Sequence, residues 1–388
     1  MGRTNVAAVI VTDISKNLIR LRDAQSRSQE QVAEAAQISL AGYRKIESGE
    51  SEPRSSTVLA LARALSVKPG ELLRPAPPLP VARFRSTKRM RERELLLMEV
   101  AKQLEGYAEL EALLDQQKAF RPGDFAANDV DAAHRPIEAA SRVRAAFNLE
   151  DDEPIHDICG LLEDHGIKVL RLRVASEGFF GLSVADGSAG PAIAVNAWER
   201  ISVERWIFTA AHELGHLVLH AADFNPAEAT EQPEHEREAD QFAAHFLMPQ
   251  ASFVKEWEQA KGLPLYDRVL KVKRIHRVSY MTVLYRLHEL GRPEIWALFK
   301  AQAKRRTGKP LLKTDEPAAL DPGAFLGQAV EARKGDEPMQ LSEYDFLMDR
   351  RQRLVRDALE GDVISIGRAA EILGVTLRSM RQIAGSWV

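Results

Sequence analysis

One pentapeptide constrains this chain more than any other feature. His212-Glu213-Leu214-Gly215-His216 lies inside Trp206-Ile-Phe-Thr-Ala-Ala-His-Glu-Leu-Gly-His-Leu-Val-Leu-His220, an apolar stretch without proline, and the pattern predicts one helix from Ile201 to His220. Side chains four apart on a helix lie one above the other, so both imidazoles face one point and Glu213 projects beside them. Imidazole and carboxylate groups inside an apolar helix are costly to bury alone, and a metal ion is their natural partner. Neutral imidazole suits zinc, and three protein ligands leave a fourth position for water, whose pKa then falls to about 7. The spacing therefore predicts a Zn2+-dependent peptidase site in which His212 and His216 bind metal and Glu213 is the catalytic general base.

A third ligand is expected from the helix beginning near Glu234, which offers His235, Glu236 and Glu238. Its apolar face runs through Ala239, Phe242, Ala243 and Phe246. By the 100° step, Glu236 falls on one edge of that face and Glu238 on the other. Asp240, one turn beyond Glu236, is in position to hydrogen-bond a ligating imidazole. This favours Glu236 as the ligand and leaves Glu238 on a solvated face beside Arg237. His220 reads as a supporting or core residue. Tyr266, His276, Tyr280 and Tyr285 are all available as donors to a developing oxyanion. Ala192 to Asn196 reads as a strand, either an edge that pairs with an extended substrate or an ordinary buried one.

At 388 residues the chain is long enough for two or three domains. Its 45% hydrophobic and 28% charged content excludes a largely disordered or fibrous class. The net charge of −3 hides an asymmetry: residues 1–94 hold 17 Lys/Arg against 10 Asp/Glu, a net of +7 that leaves −10 for the rest. The single cysteine, Cys159, excludes an intrachain disulfide framework and a cysteine-rich metal cage, and predicts a reducing compartment. No apolar run approaches the ~18 residues of a membrane span, and the start lacks a signal-peptide core. The expectation is a cytoplasmic protein with no membrane association.

Near the amino terminus, Ser28-Gln-Glu-Gln31 forms a capping box that opens a helix from Gln29 to Ala36. Further helices follow from Ser39 to about Gly49 and from Val58 to Leu65. Ile14, Leu18, Val32, Ile46, Leu61 and Leu72 are among the apolar positions that suffice for a five-helix core. Residues 74–80 contain four prolines and read as a stiff linker, Lys88 to Gln117 reads as a helix, and the basic residues from Arg83 to Arg93 read as a solvated face that can add phosphate contacts. Strands are predicted at 168–174, 179–184 and 192–196, loops at 121–136, 221–233 and 307–323, and helices from Val278 to Leu290 and from Leu341 onward. The segment from Ile364 to Arg381 has a helix-turn-helix rhythm but reads as an ordinary helical pair.

From about Phe147 to Pro249 the chain resembles the ImmA/IrrE family of metallopeptidases. The likeness rests on the block from Phe208 to His220, the Ile-Ala-Val-Asn strand upstream and Glu-Arg-Glu-Ala-Asp-Gln-Phe-Ala-Ala-His-Phe-Leu-Met-Pro downstream. The resemblance implies zinc ligation by His212, His216 and Glu236, catalysis by Glu213, and cleavage of a cognate repressor that releases stress-response or mobile-element genes. From Ile14 to Arg74 the chain is similar to XRE-type helix-turn-helix domains of the lambda-repressor kind, through Gln29-Glu-Gln-Val-Ala-Glu-Ala-Ala-Gln-Ile-Ser and Tyr43-Arg-Lys-Ile-Glu-Ser-Gly49. That likeness implies binding of double-stranded DNA, with Ser39 to Ile46 in the major groove, Leu40, Arg44 and Lys45 facing bases or phosphates, and Gln29 on the backbone. Ala41-Gly42 stands where the family has a small polar pair, which leaves fewer base-reading donors.

The expected fold is multidomain and mainly α. A five-helix lambda-repressor-like domain (12–74) is followed by a linker and helical spacer (75–136), an α+β zincin-like metallopeptidase domain (137–300) and a helical C-terminal region (301–388). Homodimerisation is a further expectation. The rival expectation is a one-chain transcriptional regulator whose zinc domain senses a ligand or holds the fold without proteolysis.

Overall fold

The computed structural model describes residues 6–25, 27–73, 81–86, 93–176, 178–186, 189–221, 224, 232–312, 315–319 and 340–387. The Pro-rich segment 74–80, most of the loop expected at 221–233, part of that expected at 307–323, and the side chains of the basic residues from Arg83 to Arg93 lie outside them. The chain divides into two compact units, one of residues 1–79 and 91–102, the other of 80–90 and 103–388.

The first unit holds the five expected helices, α1 (Val6–Ala24), α2 (Gln29–Ala35), α3 (Leu40–Glu47), α4 (Ser55–Ala64) and α5 (Pro69–Leu73). The predicted capping box at Ser28 and Gln31 forms at the start of α2. Leu18, Val32, Tyr43, Leu61, Leu65 and Leu72 are fully buried at its centre. Glu47, the last residue of α3, is also buried, and it accepts hydrogen bonds from Arg22 Nε at 2.7 Å, from the Gln29 amide and from the Tyr43 hydroxyl. A buried carboxylate is tolerated because donors from three helices surround it.

In the second unit a four-stranded sheet has the order β1-β3-β4-β2, where β1 is Val81–Ser86, β2 Lys168–Leu172, β3 Phe179–Asp186 and β4 Ala192–Asn196. β2 and β4 are parallel, while β3 pairs antiparallel with both β4 and β1. β1 comes from the stretch expected to serve only as linker and spacer. β4 has strands on both sides and every residue buried, which corrects the reading of Ala192 to Asn196 as a substrate-pairing edge, since its ladder groups are already used. Asn196 donates to the carbonyls of Val174 and Phe179 and accepts from Val174 N, all at 2.9 Å, locking the strand ends.

α6 (Arg93–Leu113) links the units in sequence, and α7 (Arg135–Ala146) and α8 (Ile158–Asp164) precede the sheet. α9 (Val203–Leu219) lies against β3 and β4, and α10 (Pro233–Leu247) packs along it. Two glycines permit these approaches. A Cβ on Gly181 would stand 2.6 Å from Thr209 Cγ2, and one on Gly215 would stand 3.0 Å from Phe242 Cδ1. α11 (Gln250–Gln259) and α12 (Leu265–His276) start directly after Pro249 and Pro264, which stand at their N-caps. α13 (Tyr280–Glu289) and α14 (Ile295–Thr307) complete the layer. Buried Arg286 donates to the carbonyls of Ala244 and Met248, holding the end of α10. α15 (Arg350–Glu360), α16 (Ile366–Leu373) and α17 (Leu377–Gly385) form a separate small core with Tyr107 and Leu110 of α6.

Candidate metal centre

His212, Glu213 and His216 are all buried on α9, and Glu236, in the first turn of α10, faces the two imidazoles. His212 Nε2 and His216 Nε2 are 3.0 Å apart, and each lies 3.2 Å from a different oxygen of Glu236. Ligands about 2.0–2.1 Å from one tetrahedral ion lie about 3.3 Å from each other. The three groups thus have nearly the spacing that a single zinc ion requires.

The outer nitrogens explain why the inner ones are available. His212 Nδ1 is 2.8 Å from Asp240 Oδ1, so that nitrogen carries the proton and Nε2 presents its lone pair. His220 Nε2 donates to Glu238 at 2.7 Å, which leaves His220 Nδ1 to accept from His216 Nδ1 at 3.0 Å. His216 Nε2 is thereby a bare lone pair as well. Only imidazoles protonated on Nε2 would hold the buried Glu236 carboxyl below the ordinary carboxylate range; with both Nε2 atoms bare, its oxygens add a third electron-pair donor. Three electron-pair donors therefore converge where positive charge is favoured, and a divalent cation fits that point.

The support of His212 by Asp240 matches the helical register read from the sequence. Glu238 differs from its reading: it is only 15% exposed and bonds His220, with Arg135 at 3.8 Å, because α10 turns that edge onto the end of α9. His220 is buried and stacks on the His235 ring at 4.1 Å. Gly181 is a site residue that the sequence does not suggest. A Cβ there would lie 3.2 Å from Glu213 Oε1 and 3.0 Å from Ala194 O, so a bare position on β3 makes room for the carboxylate.

A cleft of about 840 Å3 opens beside the centre, lined by Phe180, Trp198, Arg205, Phe208, Tyr285 and Trp296 among others. Asp240 lines it too, and the Phe208 ring lies 6.4 Å from that of His212. Of the four oxyanion candidates, Tyr285 alone lines this cleft, and burial, with Glu289 and Asp240 nearby, pushes its hydroxyl up to about 12. Tyr266 and Tyr280 stack on Phe299 at 5.2 Å. His276 is sequestered beside Ser252.

In the first unit, Arg44 and Lys45 are exposed on α3. Ser39 spends its hydroxyl capping that helix, Leu40 packs partly against the core, and Gln29 accepts from Arg44 Nε at 3.3 Å while donating to Glu47.

A helix bearing two imidazoles and a carboxylate, completed by a carboxylate from the next helix and laid on a small mixed sheet, defines a domain of the metallopeptidase type. Residues 162–288 match the family model of the M78 peptidases, described as the IrrE N-terminal-like domain, and residues 18–72 match a helix-turn-helix model. The chain therefore joins a helix-turn-helix domain to an M78-type peptidase domain. No curated protein matches it. Among the described residues, no helix is long and apolar enough to cross a membrane.

Proposed function

We propose that this protein is a cytoplasmic zinc endopeptidase that cuts a helix-turn-helix repressor at one bond and so releases stress-response or mobile-element genes, with its own amino-terminal domain holding it on DNA. The observation that carries the reading is the convergence of His212 Nε2, His216 Nε2 and Glu236 at 3.0–3.2 Å beside a buried carboxylate, Glu213, that is not needed as a ligand. A purely structural zinc site usually closes its fourth position with another protein ligand and has no use for such a group.

His212, His216 and Glu236 would hold the ion, which when bound supplies Lewis-acid polarisation of the scissile carbonyl and water of lowered pKa. Glu213 accepts the proton of the attacking water and returns it to the amide nitrogen as the C–N bond breaks. The buried setting of α9 keeps bulk water from competing for that carboxylate. Asp240 and the Glu238–His220 pair keep the imidazole rings in register. The aromatic cleft beside Asp240 suits an apolar side chain flanking the scissile bond, and Tyr285 is the donor available to the oxyanion.

The test is incubation of the full-length protein, loaded with zinc, with a helix-turn-helix repressor, taken from the neighbouring reading frame if that frame encodes one. A single cut that depends on zinc is expected. An intact repressor, together with normal gene regulation in cells, would leave a non-proteolytic regulator as the reading.

A further inference from the structure

The C-terminal helix pair repeats the geometry of the amino-terminal helix-turn-helix residue for residue. Ser28 caps α2 and Ser365 caps α16. At the same distance along each motif stands a left-handed residue, Gln37 with φ 55° and Gly374 with φ 67°. Two residues later come the caps of the second helices, Ser39 accepting from Gly42 N and Thr376 accepting from Ser379 N. The turns share their backbone bonds: Ile38 N donates to Ala33 O and Val375 N to Ala370 O, both at 3.0 Å, while Gln37 N donates to Glu34 O and Gly374 N to Glu371 O. Ala33 and Tyr43 are buried at the positions held by Ala370 and Met380. α15 and the end of α6 supply the supporting helices through Leu354, Val355, Ala358 and Tyr107.

The exposed face of the second helix differs from its counterpart in one respect that bears on function. α17 buries only Met380 and carries two arginines and no acidic residue. Arg378, Arg381 and Gln382 are exposed and share one face at helical spacing. Arg381 stands where Arg44 stands in α3, and Arg378 stands where α3 has Ala41. Arginine reads guanine and glutamine reads adenine by paired hydrogen bonds in the major groove, so Arg378 gives α17 a base-reading donor where α3 has Ala41.

We infer that α16–α17 is a second helix-turn-helix that docks in the major groove of double-stranded DNA, with Arg378, Arg381 and Gln382 on base edges and phosphates. The inference rests on the C-terminal module alone and is independent of proteolysis.

The experiment uses full-length protein and a pool of random-sequence 30-bp duplexes. Duplexes are selected with the Arg44→Ala/Lys45→Ala protein, in which the amino-terminal head is weakened, and their affinity is then measured with Arg378→Ala/Arg381→Ala introduced on the same background. Selection should enrich a sequence, and the second pair of substitutions should weaken binding to it about tenfold or more, with zinc content and thermal unfolding unchanged because both side chains are exposed. The inference is overturned if the Arg44→Ala/Lys45→Ala protein enriches no duplex, or if Arg378→Ala/Arg381→Ala leaves the affinity as it was. Either result would make the module a structural or protein-docking element.

Discussion

His220 Nε2 donates to the Glu238 carboxylate over 2.7 Å, so the second carboxylate of the Glu236–Glu238 pair reaches the metal centre only through an imidazole. His216 Nδ1 then finds its acceptor in His220 Nδ1. Removing Glu238 frees His220 to take the other tautomer and removes the acceptor that orients His216. Glu238→Ala should therefore still bind one zinc at saturation, but about 10–100-fold more weakly. Glu236→Ala should lose the ion outright. Chelator competition and elemental analysis on the two variants check this, and the reverse pattern would make Glu238 the ligand.

Gly181 sits where α9 comes closest to β3. An added methyl meets Thr209 Cγ2 at 2.6 Å, the carbonyl of Ala194 at 3.0 Å and Glu213 Oε1 at 3.2 Å. Gly181→Ala should cost about 1–3 kcal/mol, the usual range for overpacking, and should lower peptidase activity more than zinc affinity, since Glu213 is displaced and the ligands are not. Thr209→Ser removes the nearest atom and should restore part of both losses. Denaturant unfolding, zinc titration and cleavage rates on the single and double variants are the measurements. A Gly181→Ala protein with unchanged stability and rate would show that the close approach is without consequence.

What is legible in the sequence is whatever obeys helical periodicity. His212 and His216, Glu236 and Asp240 each follow from spacing along one helix, and their placement agrees with it. Glu238 is not legible in that way, because an acidic residue beside Arg237 is indistinguishable from a solvated one until α9 delivers His220 to it. Gly181 carries no side-chain pattern at all; its role is an absence of atoms where two elements meet. β1 is hidden by its setting, since Val81 to Ser86 follows a proline run and carries two arginines, and only pairing with β3 makes it a strand. In α16–α17 the rhythm is visible, but rhythm alone does not separate a reading head from an ordinary helical pair. The left-handed turn residue and the two caps give α16–α17 the same backbone as the amino-terminal motif, and only the residues on the exposed face of α17 bear on what it reads.

Glu163 on α8 accepts from Tyr107 OH at 3.2 Å and from Arg350 N at 3.3 Å, tying the start of α15 to the peptidase domain. Burial pushes its carboxyl up to about 7 from 4.5. The folded state therefore holds this proton between about pH 4.5 and 7 while the unfolded state has released it. Fewer protons bound in the unfolded state means that the contribution falls as pH rises through that window and is fully lost above it. Glu163→Gln should remove this part of the slope, so that the variant gains on the wild type as pH increases from about 4.5 to 7.5. Denaturation midpoints across that range check the sign, and parallel curves would refute it.

Arg44 and Lys45 are exposed on α3 in a front end of net charge +7. Arg44→Ala/Lys45→Ala in the full chain should weaken binding to any duplex and make that binding less steeply dependent on salt, by roughly one unit of slope for each phosphate that is no longer neutralised. Fluorescence anisotropy at several salt concentrations measures both. An unchanged slope would mean that these side chains do not meet phosphate.

Glu213 separates the proteolytic reading from its rival most directly. It is fully buried on α9 between the two histidines, yet the converging atoms come from His212, His216 and Glu236. Glu213→Gln keeps the shape and removes the proton acceptor, so fold and zinc content should stay as in the wild type. Loss of a general base alone costs about 10²–10⁴-fold in rate, and this carboxylate would also carry the proton to the leaving nitrogen, so the upper end of that range is expected. In cells the substituted protein should occupy its DNA and leave the repressor whole, and target genes should stay silent. The measurement is a reporter for those genes read beside zinc content and repressor integrity on immunoblots. If Glu213→Gln still switches the genes on while the repressor remains intact, the protein regulates without cutting, and the imidazole–carboxylate centre serves as a sensor.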